Sequence, residues 1–323
     1  MIIGFIDKIA RITSIDSTAS EQTSCSAVVI ANPTSGSYIY HTRQLEETLA
    51  FLRAAGWQIE LQLTKEAGDA CRLARQAVAR KTNVVVAVGG DGTINEIIQE
   101  LAGSETALGV LPMGTVNVWA RETNIPLDVT GAREVLLHGV TRRIDLGKVN
   151  DRYFLLMAGI GFDAAVTRAV ENKPVKRLGV LGYLLVGAWL GLGYESFRAH
   201  LTINGRVIKK NALQIVVGNT QLYAGAIKYT WQAKCDDGLL DVCVVRKRSM
   251  LGRIVVLWDF LFNREQRRQW VSYQRFKALE VRTRKPVAIQ VDGDPFGYTP
   301  ARFIVAPKAL KVIVPRQTPG LFS

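Results

Sequence analysis

The sequence predicts an N-terminal α/β unit with an open, mostly parallel sheet, followed by a C-terminal antiparallel β-sandwich with helical insertions. Three observations carry this. From Ala27 to about Arg142 short apolar runs alternate with amphipathic stretches, the pattern of a parallel sheet covered by helices. Beyond Arg142 the chain changes to strand-like segments joined by turns. At 323 residues it also exceeds one typical domain, which predicts two units with separate cores.

AVVIANP (27–33), WQIELQLT (57–64), NVVVAVGG (83–90) and ALGVLPMG (107–114) read as the first four strands. Between them, TRQLEETLAFLRAAG puts Leu45, Leu49 and Leu52 on one helical face and ends at Gly56, a residue suited to a helix C-cap. Asp69–Arg80 and Thr93–Leu101 read as the next helices. RIDLGKVN, RYFLLMAG, RAHLTING, ALQIVVGN, LLDVCVVRK, ALEVRTRK, VAIQVDGD and ALKVIVP follow as strand segments, and Asn204-Gly205 is a two-residue hairpin signal. Two helical insertions, Leu178–Tyr194 and Met250–Lys277, interrupt them. With neither an internal repeat nor a low-complexity linker, the division is an extension over 1–25, an α/β domain over 26–142, a β-rich domain over 143–317 and a tail over 318–323.

A composition 48% hydrophobic and 21% charged is that of a folded protein. The 41 Lys and Arg exceed 28 Asp and Glu, and the formal charge of +13 attracts nucleic acid, anionic lipid or nucleotide phosphates. Zinc-finger spacing, an aromatic-rich RNA-binding signature and a basic tail are all missing, so an anionic membrane face is expected rather than nucleic acid. Arg264, Arg267, Arg268, Arg275 and Lys277 are the candidate surface. Cys25, Cys71, Cys235 and Cys243 have neither disulfide-framework nor metal-knuckle spacing, and MIIGFIDKIARI lacks a secretory pattern, which predicts a reducing, cytoplasmic setting. Ile2, Phe5, Ile6, Ile9 and Ile12 share one face, fitting a frayed tail or an interfacial anchor. The uncharged run Leu178–Gly193 is short of the roughly 20 residues a spanning helix needs, so it reads as a buried helix or one lining a lipid-tail cleft.

The chemistry concentrates in VVVAVGGDGTINEIIQEL. An apolar strand runs into Gly89-Gly90-Asp91-Gly92-Thr93 and a helix starts at once, so glycine backbone and helix-start amides can approach a phosphate. Asp91, expected in a solvent-facing loop, would repel that phosphate unless a cation or transferable proton intervenes, which implies magnesium or acid–base work. AVVIANPTSG places Asn32, Pro33, Thr34, Ser35 and Gly36 at a strand end, and VLPMGTVN does the same for Gly114, Thr115 and Asn117. In an open parallel sheet ligands bind beyond the carboxyl ends of the strands, so these three loops should converge. Gly159-Ile160-Gly161-Phe162-Asp163-Ala164 matches a dinucleotide fingerprint but lacks the acidic second strand, and reads as a tight strand–helix turn. There is no P-loop motif.

NPTSG, GGDGTINE, LPMGTVN, KCDDGLLDV and VDGD, in that order, resemble the diacylglycerol-kinase catalytic-domain family over residues 27 to about 315. The resemblance implies an N-terminal nucleotide-binding domain, a β-rich lipid-substrate domain and an active site between them, with ATP and Mg²⁺ as cofactors. Asn32, Pro33, Thr34, Ser35, Gly36, Thr64, Gly90, Asp91, Gly92, Thr93, Asn95, Glu96 and Thr115 would contact ATP. Asp91 and Asp145 would organise catalytic magnesium, and Asp237 with the Lys234 and Leu239 carbonyls would hold a structural ion. Asp292 or Asp294 would be the general base. Two positions depart from the family: Val118 stands where members often carry Asp, and Asp294 replaces the Glu of the usual DGE.

The expected partners are a lipid substrate, an anionic membrane surface bound peripherally and a second copy of the chain, without nucleic acid. Two other readings stay open here, an NAD kinase and a lipid-binding protein whose kinase site has decayed.

Overall fold

The computed structural model describes residues 25–35, 38–171, 186, 187, 190, 193–223, 225, 227–246, 271–317 and 320–323. Strands β1 (Cys25–Ala31), β2 (Trp57–Leu63), β3 (Val84–Gly89) and β4 (Ala107–Pro112) pair in parallel in the order β2-β1-β3-β4. Helices α1 (Tyr38–Ala54), α2 (Asp69–Ala79), α3 (Asp91–Leu101), α4 (Val118–Glu122) and α5 (Val129–His138) connect and follow them. Every residue of β3 and β4 is buried, as strands covered on both faces require. Leu45, Leu49 and Leu52 lie in the core on one face of α1, and Gly56 takes φ +92°, so periodicity and C-cap stand as expected.

The next elements are β5 (Val140–Val149), β6 (Arg152–Phe154), β7 (Met157–Gly161), α6 (Phe162–Glu171), β8 (Phe197–Ile203) and β9 (Arg206–Gly218). After them come β10 (Leu222–Tyr223), β11 (Ile227–Lys228), β12 (Leu240–Arg246), β13 (Val271–Phe276) and β14 (Ala278–Thr283). Strands β15 (Ala288–Val291), β16 (Asp294–Tyr298) and β17 (Ala301–Val314) complete the order. Their pairing is antiparallel around a second core that includes Phe154, Ile160, Leu201, Ile215, Phe276 and Phe303. Asn204 and Gly205 adopt φ +47° and +86° between β8 and β9, the left-handed pair that closes a two-residue hairpin. The architecture is thus the mixed one expected: parallel α/β strands first, an antiparallel unit second.

Strand β17 departs from the expected arrangement. Its beginning pairs with β14, yet Lys311 and Val312 pair in parallel with Ala107 and Leu108 of β4. One sheet path therefore runs from β16 to β2 through both halves. Leu310, Val312 and Val314 bury their side chains in the first core, and so do Leu321 and Phe322 from the segment read as a tail. Apolar burial near the first sheet outweighs proximity in sequence. The Met250–Lys277 insertion also needs correction, because residues 271–276 form β13, paired with β12. Among the described residues it pairs with β12 alone and buries only Phe276 fully, as an edge strand does.

Residues 1–24, Gly36, most of Leu178–Gly193, and Arg264, Arg267 and Arg268 lie outside the described residues. Among the described residues no helix is long and apolar enough to cross a membrane.

Candidate active site

The loops after β1, β3 and β4 meet at the carboxyl edge of the parallel sheet. Ser35 Oγ donates to the Met113 carbonyl at 2.9 Å, joining the first loop to the third. Asn32 Oδ1 accepts from the Thr34 amide (3.0 Å) and hydroxyl (2.8 Å), which folds the first loop on itself. Gly90 and Gly114 are in backbone contact: a Cβ on Gly114 would lie 2.3 Å from Gly90 Cα, so only glycine permits this approach. Asn117, at φ +53°, closes the third loop by exchanging hydrogen bonds with Gly114 N and O, both at 2.9 Å. The loop after β2 joins them through Glu96 Oε2, which accepts from the Gly68 amide at 3.1 Å. Thr64, mostly buried, donates its amide to the Ala31 carbonyl at 2.9 Å, and Thr115 is exposed.

Asp91 does not lie in a solvent-facing loop. It opens α3 half-buried, and its carboxylate accepts from the Val118 and Trp119 amides at 3.0 and 3.2 Å, satisfying the first donors of α4. Burial raises its pKa against the pull of those two bonds. The Val118 departure acquires a physical meaning here. Its side chain is 6% exposed in the first core, and the residue serves Asp91 through its backbone N–H.

One helical turn beyond Asp91, Asn95 is 1% exposed and donates to Asp294 Oδ2 at 3.2 Å. Arg152 Nη2 donates to the same oxygen at 3.0 Å, and the Asp294 side chain keeps 51% of its exposure. Gln99, a further turn along α3, grips the backbone of Tyr153 in β6 at both its amide and its carbonyl, each at 3.0 Å. These bonds fasten the helix of the glycine loop to the antiparallel half. Asp292 has a different environment, although it is two residues away. At φ +47° it turns its carboxylate onto the amides of Leu155, Leu156 and Met157 at 2.8–3.0 Å. Desolvation, helped by a smaller contribution from the charge of Asp91, pushes its pKa up to about 7 despite these bonds.

The KCDDG segment forms a separate cluster. Asp237 Oδ1 accepts from the Leu239 amide at 3.0 Å, and Oδ2 pairs with Arg275 Nη2. Asp145, which the resemblance makes an organiser of catalytic magnesium with Asp91, is fully buried and accepts from Gly238 N and Lys308 N, each at 2.6 Å, while its own amide donates to the Cys235 carbonyl. These bonds tie β5 and β17 to this loop at the irregularity in their pairing between Ala306 and Leu310.

A family model described as the diacylglycerol kinase catalytic domain matches residues 26–149, and one described as the YegS C-terminal NAD kinase beta sandwich-like domain matches 157–314. The diacylglycerol kinase of Staphylococcus aureus (strain JH9) is 32% identical over 293 residues, which are 90% of this chain and 92% of the relative. The chain belongs to the diacylglycerol kinase family. The relative from Staphylococcus aureus strain Newman matches with the same figures. A crystal structure described as diacylglycerol kinases from Bacillus anthracis str. Sterne shares the fold at TM-score 0.77 and 26% identity, covering 90% of this chain and 98% of that one.

For this family of lipid kinases, the structure adds residues that local sequence did not single out. Arg152 and Gln99 lack any motif signal, because their partners lie 142 and 54 positions away. Among the described residues no three His, Cys, Asp or Glu gather as a metal centre. A hard cation would therefore rest on single carboxylates with backbone carbonyls and water, a donor set suited to magnesium. Asp91 fits that role, since a carboxylate has about four acceptor sites and two are taken by amides. At Asp237 the Leu239 amide takes Oδ1 and Arg275 pairs with Oδ2, so a cation there would have to compete with the guanidinium for the carboxylate.

Asp241 in β12 supplies a pH test of this half. It is fully buried, Tyr273 donates to Oδ1 at 2.6 Å, and Oδ2 has no partner among the described residues. Burial pushes its pKa up to about 6. Because the folded value exceeds the unfolded one of about 3.9, the bound proton favours the fold, and that contribution is lost as pH rises through 6. Asp241→Asn keeps an acceptor for Tyr273 without the charge. It should gain on the wild type by roughly 2 kcal/mol between pH 4 and 8, with Arg275 offsetting part of the effect. Denaturant midpoints of the two proteins that stay parallel across this range would count against it.

Proposed function

We propose that this protein is an ATP- and magnesium-dependent kinase that transfers the γ-phosphate to the hydroxyl of a diacylglycerol-like lipid at a membrane surface. The observation that carries this reading is the Asn95–Asp294 hydrogen bond. It joins the helix opened by Asp91 to a half-exposed carboxylate on the antiparallel half, so nucleotide loops and base face one site.

In this reading Asn32, Pro33, Thr34, Ser35 and Gly36, with Thr64, Gly90, Gly92, Thr93, Glu96 and Thr115, line the ATP phosphates. Asn95 and Arg152 orient Asp294, which accepts the proton of the attacking hydroxyl. That hydroxyl has a pKa far above 7 and gains from a positioned acceptor. Asp292 holds the turn beneath Asp294. Asp91 would hold magnesium or its waters, and the ion when bound spreads the charge of the transferring group. The surplus of 13 positive charges favours an anionic lipid surface.

Incubating the protein with γ-labelled ATP, magnesium and a total lipid extract should yield a labelled lipid, with diacylglycerol added alone giving the same phosphorylated product. No labelled lipid would defeat the proposal. The sandwich model's likeness to NAD kinase makes NAD the second acceptor to include, and label on NAD alone would move the assignment there.

Asp237 supplies a separate test. Magnesium binding to the folded state alone raises stability, so the wild type should unfold at a higher temperature with added magnesium and Asp237→Ala should lose most of that shift. A wild type indifferent to magnesium would remove the ion from this loop.

A further inference from the structure

Asp163 and Gln290 form a buried pair that no catalytic role above uses. They are 4% and 1% exposed. Gln290 Nε2 donates to Asp163 Oδ2 at 3.1 Å, and Gln290 Oε1 accepts from the Gly293 amide at 2.8 Å. Gly293 is the residue between Asp292 and Asp294, so the pair ends directly on the turn that carries the proposed base. The backbone makes room for it: Gln290 stands opposite Gly159 across β15 and β7, and a Cβ on Gly159 would lie 1.7 Å from Asp163 Oδ2. This gives the first glycine of Gly159-Ile160-Gly161 a purpose unrelated to dinucleotides. Helix α6 also holds the far end of the β15–β16 hairpin, through Arg168 Nη2 donating to the Gly297 carbonyl at 3.0 Å.

We infer that Asp163 and Gln290 are positioning residues for the phosphoryl-transfer base: Asp163 fixes the orientation of the Gln290 amide, and that orientation presents an acceptor to Gly293 and sets the aim of Asp294. The logic is one of donors and acceptors. An ionised carboxylate can only accept, so Gln290 must turn its NH₂ toward Asp163 and its oxygen toward Gly293. In Asp163→Asn either orientation of Gln290 is allowed, and one of them sets an NH₂ against the Gly293 N–H. Combining Asp163→Asn with Gln290→Glu reverses the pair, so that the amide donates from the α6 side to a carboxylate on β15. That arrangement restores an acceptor at Gly293 with the same net charge.

The test is Asp163→Asn, Gln290→Glu and the double variant, assayed at pH 8 with γ-labelled ATP and a total lipid extract, together with the glycine amide spectrum of selectively ¹⁵N-labelled protein. Each single variant should lower kcat by about 10–100-fold with KM for ATP unchanged, and shift the Gly293 resonance; the double variant should recover both to within a few-fold of the wild type. In an Asp294→Asn background the single changes should add less than twofold. A double variant no better than the worse single, or single variants within twofold of the wild type, would overturn the inference. The inference rests on Asp294 as base. An active Asp294→Asn enzyme defeats that assignment, whereas the Gly293 resonance reports on the pair whatever the identity of the base. A Gly293 resonance that stays in place in both single variants defeats the pair itself.

Discussion

Asp294→Asn should lower kcat by roughly 10²–10⁴-fold while leaving KM for ATP nearly unchanged, the signature of a lost general base. Asn is nearly isosteric and still offers an oxygen to Asn95 and Arg152, which both donate to Asp294 Oδ2. The side chain is half-exposed, so folding should survive the change. Asp292→Asn is the informative contrast. Its carboxylate accepts three backbone amides, and an NH₂ facing any of them leaves a buried mismatch costing about 1–3 kcal/mol. That variant should lose stability together with activity, whereas Asp294→Asn loses activity alone. Turnover and thermal unfolding measured on both decide the matter, and a fully active Asp294→Asn enzyme would remove it from the mechanism.

Asp91→Asn should reduce turnover about 10³-fold or more, because the carboxylate offered to magnesium and its waters becomes neutral. Asp91 also satisfies the start of α4, and Asn has one accepting oxygen for the two amides of Val118 and Trp119. A further loss of about 1 kcal/mol, as for other helix caps, should accompany the kinetic defect. A chain of this size then unfolds a few degrees lower. Near-normal turnover in this variant would take Asp91 out of the reaction; an unchanged unfolding temperature would contradict only its capping role.

Much of the site was legible because its signals are local. Gly89-Gly90-Asp91-Gly92-Thr93 between an apolar strand and an amphipathic helix specifies a turn that another backbone can approach closely, and Asn204-Gly205 specifies a hairpin through left-handed conformations that few other residues adopt. The separate roles of Asp292 and Asp294 were not legible. One carboxylate faces three amides and the other faces Asn95 and Arg152, and those partners come from α3 and β6, more than a hundred positions away. The surroundings of Asp145 were hidden for the same reason. The identity of the residue was readable, but its partners Gly238 and Lys308 were not.

By itself the sequence determined the order of strands and helices, the three glycine-bearing loops and the set of carboxylates available for chemistry, because backbone conformation and amphipathic period are fixed over a few residues. Tertiary structure alone decided which carboxylate is desolvated and which stays open to a substrate. It also decided that β17 returns to pair with β4, and that Gln290 reaches Gly293 from a seat beside Asp163. Burial and hydrogen-bond partnership arise only when distant segments pack, and they set what each acidic group can do.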